Sequence, residues 1–476
     1  MSQGGSSSTE GKQVNERTAE SRLATLWQSG TLRGSDLTAA DGRRLRVLHP
    51  GLGGNGKGPD FCGAAIAWLD GGRSHGDVEL HTDSRLWRRH GHHRDPGFNG
   101  VVLHVVFHHE SKHSGDHRNL TRLQDGTYVP IVPLEACLEN GLSVKPPVPP
   151  LCRSLSSLRS RFGGVGSGIP NLLEQALMRA GEQRFRLKAA GFSQEMARSS
   201  PGQALYSGIM DALGYARNRA PCRELAQRVP LQQLEQCSSR VEREALLLGA
   251  AGLLPFQTFS GPFGRWPSPP PADLEELVQA WEVLGACLPI ETMVANHWEF
   301  FHIRPSNSPV RRLAAMASLA GKWPDGLLAG ALELAARAAQ SGAAKSLAAG
   351  LEVAGDGYWA NHWHFGKPCR PAALVGHVRA LDIAVNVLLP LTFAWSCNDG
   401  RLTLGRSVLD LYYEHPPLSE NRVTRYMATQ VWGSASPGQR RVRLNACQQQ
   451  GLIHVFRMFC SHGSCVECPL GTMPSA

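Results

Sequence analysis

Gly76-Asp77-Val78-Glu79-Leu80-His81-Thr82 alternates polar and apolar side chains between a glycine-rich turn and a polar one. That period of two predicts a strand with Glu79 and His81 on one face and Val78 and Leu80 on the other. The neighbouring stretches have the same character. Phe61–Leu69 and Val101–Phe107 read as strands, and Leu45–His49 reads as another, ended by the Pro50-Gly51 turn and the glycine-rich run up to Gly58. Upstream, Leu23, Leu26 and Trp27 recur at helical spacing ahead of Gly30, which predicts a short amphipathic helix within 16–30. One helix followed by a mostly β region is therefore expected up to about residue 135.

Beyond the proline-rich stretch Pro146-Pro147-Val148-Pro149-Pro150 the strand signals nearly vanish. Leu172–Ala190, Gln203–Gly214, Val241–Leu254, Ala314–Ala349 and Pro371–Trp395 carry helical patterns, with a Pro/Gly/Trp loop around Gly261–Pro271. The expected class is α+β, a mixed sheet with flanking helices followed by a mainly α-helical domain. The expected division is a Gly/Ser-rich disordered tail (1–14), an α/β domain (15–145), a linker (146–170), a helical domain (171–445) and a cysteine-bearing C-terminal loop (446–476).

The 476 residues are enough for two or three domains with real cores. Forty-nine basic against 40 acidic residues leave +9, yet only 19% of residues are charged and 42% are hydrophobic, which excludes wholesale disorder. The excess base fits a polyanionic partner such as nucleic acid, but the same charge also occurs in many proteins that merely stay soluble. The apolar run Ala384–Trp395 falls short of the roughly 20 residues a membrane span needs. No basic segment followed by an apolar one opens the chain, so a secretory signal is not expected and a cytoplasmic location is. Twelve cysteines are too sparse for a disulfide scaffold and read mostly as small buried hydrophobes.

If Asp60, at the start of one strand, lies beside Glu79 and His81 on the next, two carboxylates and an imidazole converge, a donor set suited to Mg²⁺ or Mn²⁺. Pro59-Asp60 and Glu79-Leu80-His81 resemble the motif of the PD-(D/E)XK nuclease superfamily, whose core runs helix, three-stranded meander, helix, strand. The resemblance implies a restriction-endonuclease-like fold and metal-dependent phosphodiester hydrolysis, with Asp60 and Glu79 as metal ligands. Asp60, Glu79 and His81 would be the catalytic group, with Glu16 or Glu20 on the first helix assisting the metal. His81 stands where the superfamily has lysine; an imidazole can position or deprotonate water but lacks a permanent positive charge. Without that charge, a nuclease fold that binds nucleic acid and does not cut it is the alternative. A cytosolic scaffold with a structural metal loop is a third reading.

A wider likeness rests on Gly58-Pro59-Asp60-Phe61, Gly76–His81, Val102-Leu103-His104-Val105-Val106, Trp87, the His90–Asp95 run, Leu213-Gly214-Tyr215, Arg304-Pro305-Ser306-Asn307, Gly355–Trp359 and the cysteine-bearing C-terminus. In these the chain resembles a bacterial family catalogued as a domain of unknown function.

Ten of the 19 histidines fall between His75 and His117. His104 shares a strand face with Val102 and Val106 and reads as a packing residue, whereas His92 and His93 read as loop residues. Neutral imidazoles bind Zn²⁺ and Mn²⁺, but no HExxH-type spacing is present; a loop that turns positive beside phosphate at slightly acidic pH is the alternative. Near the C-terminus Cys460, Cys465 and Cys468 fall close together, the last two as CxxC followed by Pro469. This resembles the C-terminal iron–sulfur loops of certain DNA glycosylases and nucleases, which implies a cluster held by these three and a fourth ligand, for which Cys152 is the candidate. Cys447 or His462 would suit Zn²⁺ instead. Trp298, Arg304, Tyr358 and Trp359 sit in loops that either fill gaps between helices or offer a stacking surface for single-stranded nucleic acid.

Overall fold

A computed structural model of the chain describes residues 19–28, 32, 36–54, 58–109, 119–135, 152, 155, 169–257, 272–300, 303–432 and 443–471. The tail, Glu16, the proline-rich stretch and the Gly261–Pro271 loop lie outside them. The fold is mixed α+β, an N-terminal mixed sheet followed by a mostly helical region. Two compact units divide the chain: 1–181 with 420–442 and 450–476, and 182–419 with 443–449. Segments 420–442 and 450–476 thus group with the N-terminal part of the chain.

The first unit opens with helix 19–28, whose Leu23, Leu26 and Trp27 are buried as their spacing predicts. The strands are β1 (Asp36–Thr38), β2 (Arg44–His49), β3 (Leu52–Gly53), β4 (Phe61–Trp68), β5 (Arg73–Asp83), β6 (Val101–His108), β7 (Leu120–Arg122) and β8 (Tyr128–Pro133). They form one sheet in the order β1-β2-β4-β5-β6-β8-β7, with β3 paired to β4. β2, β4 and β5 are an antiparallel meander; β5–β6 and β6–β8 are parallel. Strands β2, β4, β5 and β6 fall where the hydrophobic alternation put them. β1, β3 and β7 are only two or three residues long, and β8 contains two prolines, so none carries a readable period.

Val78 and Leu80 of β5 join Leu45, Val47, Ile66, Leu103, Val105 and Trp27 in the main core. Odd-numbered β5 residues are thereby turned to the opposite face. There a smaller cluster of Trp87, Phe98, Val101, Leu123 and Val129 forms under the segment between β5 and β6. The C-terminal segments close the unit. The buried His49 of β2 hydrogen-bonds Tyr426 Oη at 2.9 Å and meets Phe456 edge-on, with ring centroids 5.4 Å apart.

The second unit is built from helices, including Pro201–Leu213, Arg240–Ala250, Pro309–Ala320, Leu327–Ser341, Ala344–Leu351 and Leu402–Glu414, plus one small hairpin at 362–368. The Ala314–Ala349 run is three helices rather than one, broken around Gly321–Gly326 and at Gly342, which adopts φ +65°. Helix His377–Asn398 is long and apolar enough by length and composition to cross a membrane, but 72% of its most apolar window is buried inside the protein. Its Pro390 is tolerated because the preceding turn, Ala384–Leu388, is a π-helix that relieves the clash a proline makes with the previous turn.

Candidate metal centre

Asp60 immediately precedes β4, and the register Phe61↔Val78 places it across from Glu79 on β5. The two carboxylates are held by each other's strands. Asp60 N–H donates to Glu79 Oε2 at 3.0 Å, and Leu80 N–H donates to Asp60 Oδ2 at 2.9 Å. Asp60 stays open to solvent as a residue, whereas Glu79 is only 6% exposed. Loss of solvent around the carboxyl and then the Glu79 charge push Asp60 above the usual carboxylate range; desolvation does the same to Glu79, with His92 pulling it back. Glu20, on helix 19–28, is close enough for its charge to raise Glu79 further, so the first-helix glutamate does stand near this pair.

His81 follows Glu79 on the same face and is 1% exposed. Its Nδ1 lies 3.0 Å from His104 Nε2, and His104 Nδ1 lies 2.7 Å from Thr121 Oγ1. Its Nε2 lies 3.1 Å from His90 Nδ1 and 3.8 Å from Glu79 Oε1. Burial, reinforced by the neighbouring imidazoles, drives His81 down to about 2 and His104 to about 3. Both are neutral at any ordinary pH. His104, expected as a partly buried packing residue, is fully buried and backs His81 instead.

His90 and His92 complete the cluster. The short helix Leu86–Arg89 ends at His90, and Gly91 turns the chain with φ +81°, a conformation that costs a side chain dearly, so that His92 comes back toward β5. His92 Nε2 lies 3.3 Å from Glu79 Oε1, and its ring packs on Phe98. One donor atom from each of His81, His90 and His92 falls within 4.8 Å of the others, the one such group of three among the described residues. Sequence spacing had singled out neither His90 nor His92, because they act from a loop. Asp77, also on this face, serves the backbone: its Oδ1 accepts from Gly63 N–H at 3.0 Å, where β4 bulges.

Cys152, Cys460, Cys465 and Cys468 do not form such a group among the described residues. Cys468 is buried and Cys465 exposed, on a loop whose Gly463 packs so tightly on Leu48 of β2 that a Cβ there would sit 2.8 Å from the Leu48 Cβ. Cys447 is buried in the second unit, and His462 stacks on His75. Trp298 and Trp359 are buried gap-fillers, their Nε1 atoms donating to Ala251 O and Glu244 Oε2, both at 2.9 Å. Tyr358 is half-buried and stacks on His362, which leaves Arg304 as the exposed member of that set.

A carboxylate–imidazole centre on a mixed sheet, in one chain with a mainly helical unit, defines the class. The chain belongs to the family described as protein of unknown function (DUF2851), whose family model matches residues 20–421. That span holds every residue of the centre, from Glu20 to Thr121, and ends before the cysteine loop, which the sequence likeness had included. No curated protein and no solved structure matches the chain.

Proposed function

We propose that the first unit is a divalent-metal-dependent nuclease of the PD-(D/E)XK type, hydrolysing phosphodiester bonds in nucleic acid, DNA ahead of RNA. The observation that carries this reading is the Asp60–Glu79 pair, each carboxylate fixed by the other's strand backbone. The element order supports it as well: helix 19–28, the β2-β4-β5 meander, a short helix, then β6 parallel to β5. Two crowded carboxylates with raised pKa values are the donor chemistry a hard divalent cation relieves, so Asp60 and Glu79 would hold Mg²⁺ or Mn²⁺. Bound there, the ion supplies charge neutralisation at the phosphate and acidifies water. His81, held neutral with its Nδ1 on His104 and its Nε2 on His90, borders the carboxylate pair but is too weak a base to take a proton from water at neutral pH. The net charge of +9 favours the polyanion.

A metal screen against labelled single- and double-stranded DNA and RNA tests this. Mg²⁺- or Mn²⁺-dependent cleavage is expected, falling to background in Asp60→Ala and in Glu79→Ala while thermal unfolding stays cooperative. Cleavage that persists in both variants removes the mechanism. One observation favours a second reading: a neutral His81 brings no cation to the phosphate, as a nuclease fold that retains only affinity would. It predicts salt-sensitive binding without turnover.

A further inference from the structure

We infer that His81, His90 and His92, with the Glu79 carboxylate beside them, form a three-imidazole binding site for a zinc-class transition metal ion. The inference goes beyond the nuclease reading and stands whether or not the chain cuts nucleic acid. Its first support is spacing. A tetrahedral ion with metal–nitrogen bonds of about 2.0–2.1 Å sets neighbouring donors about 3.3 Å apart. The cluster offers 3.1 Å from His81 Nε2 to His90 Nδ1 and one donor atom from each of the three imidazoles within 4.8 Å of the others, while Glu79 Oε1 borders it at 3.3 Å from His92 Nε2 and 3.8 Å from His81 Nε2. Glu79 serves both neighbours, because Oε2 accepts the Asp60 N–H while Oε1 faces the imidazoles.

The second support is the backing behind His81. Its Nδ1 meets His104 Nε2, and His104 Nδ1 meets Thr121 Oγ1. When the Thr121 hydroxyl accepts, both imidazoles carry their proton on Nδ1, and His81 Nε2 presents a bare lone pair to the cluster. Metal-bound histidines are held through the second nitrogen in this way. Access fits too: His81 is buried, His92 half-buried and His90 exposed, so the site is anchored on the sheet and open toward solvent. Three imidazoles select Zn²⁺ or Co²⁺ over Mg²⁺, which takes oxygen donors.

The test uses untagged full-length protein and the metal alone. Equilibrium dialysis should find a Zn²⁺ ion that the His90→Ala/His92→Ala double variant binds at least 100-fold more weakly, both proteins unfolding cooperatively at closely similar temperatures without metal. With Co²⁺, the visible bands lost between wild type and variant should be d–d transitions of a low-symmetry site, without a sulfur-to-cobalt charge-transfer band. Thr121→Val, which removes only the outer hydrogen bond, should weaken Zn²⁺ roughly tenfold. Equal affinity in wild type and double variant overturns the inference, as does a lost band of sulfur origin, which would move the ion to the cysteine loop. Cleavage is not read in this experiment, so its outcome and that of the nuclease assay are independent.

Discussion

Glu244, in helix Arg240–Ala250, shows what one buried carboxylate does to the second unit. Its Oε2 accepts from Trp359 Nε1 at 2.9 Å, its Oε1 has no hydrogen-bond partner, and the residue is 6% exposed. Desolvation lifts it to about 6, partly opposed by the Trp359 hydrogen bond and by Arg240. A raised carboxylate binds its proton more tightly folded than unfolded, so its contribution to stability is greatest in acid and is lost as pH rises from about 4.5 through 6. Glu244→Gln removes that titration. The stability of the variant relative to wild type should therefore rise by roughly 2 kcal/mol between pH 4.5 and pH 7.5. Denaturant melts at the two pH values check this; parallel curves would contradict it. Trp359, read in the sequence as gap-filler or stacking surface, owes its buried role to this bond, which no linear pattern records.

At the scale of elements, a buried arginine pair joins several of the phrases on which the sequence likeness rested. Arg311, in helix Pro309–Ala320, is fully buried and donates to the carbonyl oxygens of Trp359, His362 and Ala372. Arg312 donates to Leu374 O and to Asn307 Oδ1, the latter at 3.1 Å, and lies over the ring of Tyr215, the one described non-glycine residue with positive φ. The phrases Leu213–Tyr215, Arg304–Asn307 and Gly355–Trp359 are thus cross-linked by two guanidinium groups. Arg311→Met should leave three buried carbonyls without donors, at about 1–3 kcal/mol each, offset in part by removal of a buried charge. A net loss of roughly 3 kcal/mol is expected in the unfolding of the second unit, and a change under 1 kcal/mol would show that the staple is not needed. β5 makes the complementary point. Its period of two told from the sequence which side chains face the core, and that is why Glu79 and His81 were legible as a pair.

For the whole molecule, the first unit is discontinuous, and its last piece matters energetically. Within 450–476, Leu452, Val455, Phe456 and Leu470 are buried, each contributing about 1.5–3 kcal/mol. Together they match the total stability of an ordinary domain, about 5–15 kcal/mol. A chain ending at residue 449 should therefore fail to fold its N-terminal unit, seen as rapid proteolysis between residues 36 and 135; protection equal to full length would refute the assignment. Local sequence determined the α+β class, the four long strands, the inward faces of β5 and of helix 19–28, and the Asp60–Glu79–His81 set, because alternation and helical spacing act between residues close in the chain. Only the tertiary structure decided that His90 and His92 turn back onto Glu79, that His104 and Thr121 stand behind His81, and that the C-terminal segments complete the first unit. Those contacts join residues whose separation in sequence carries no period, and they form when the turn at Gly91, the parallel pairing of β5 with β6 and the burial of apolar surface act together.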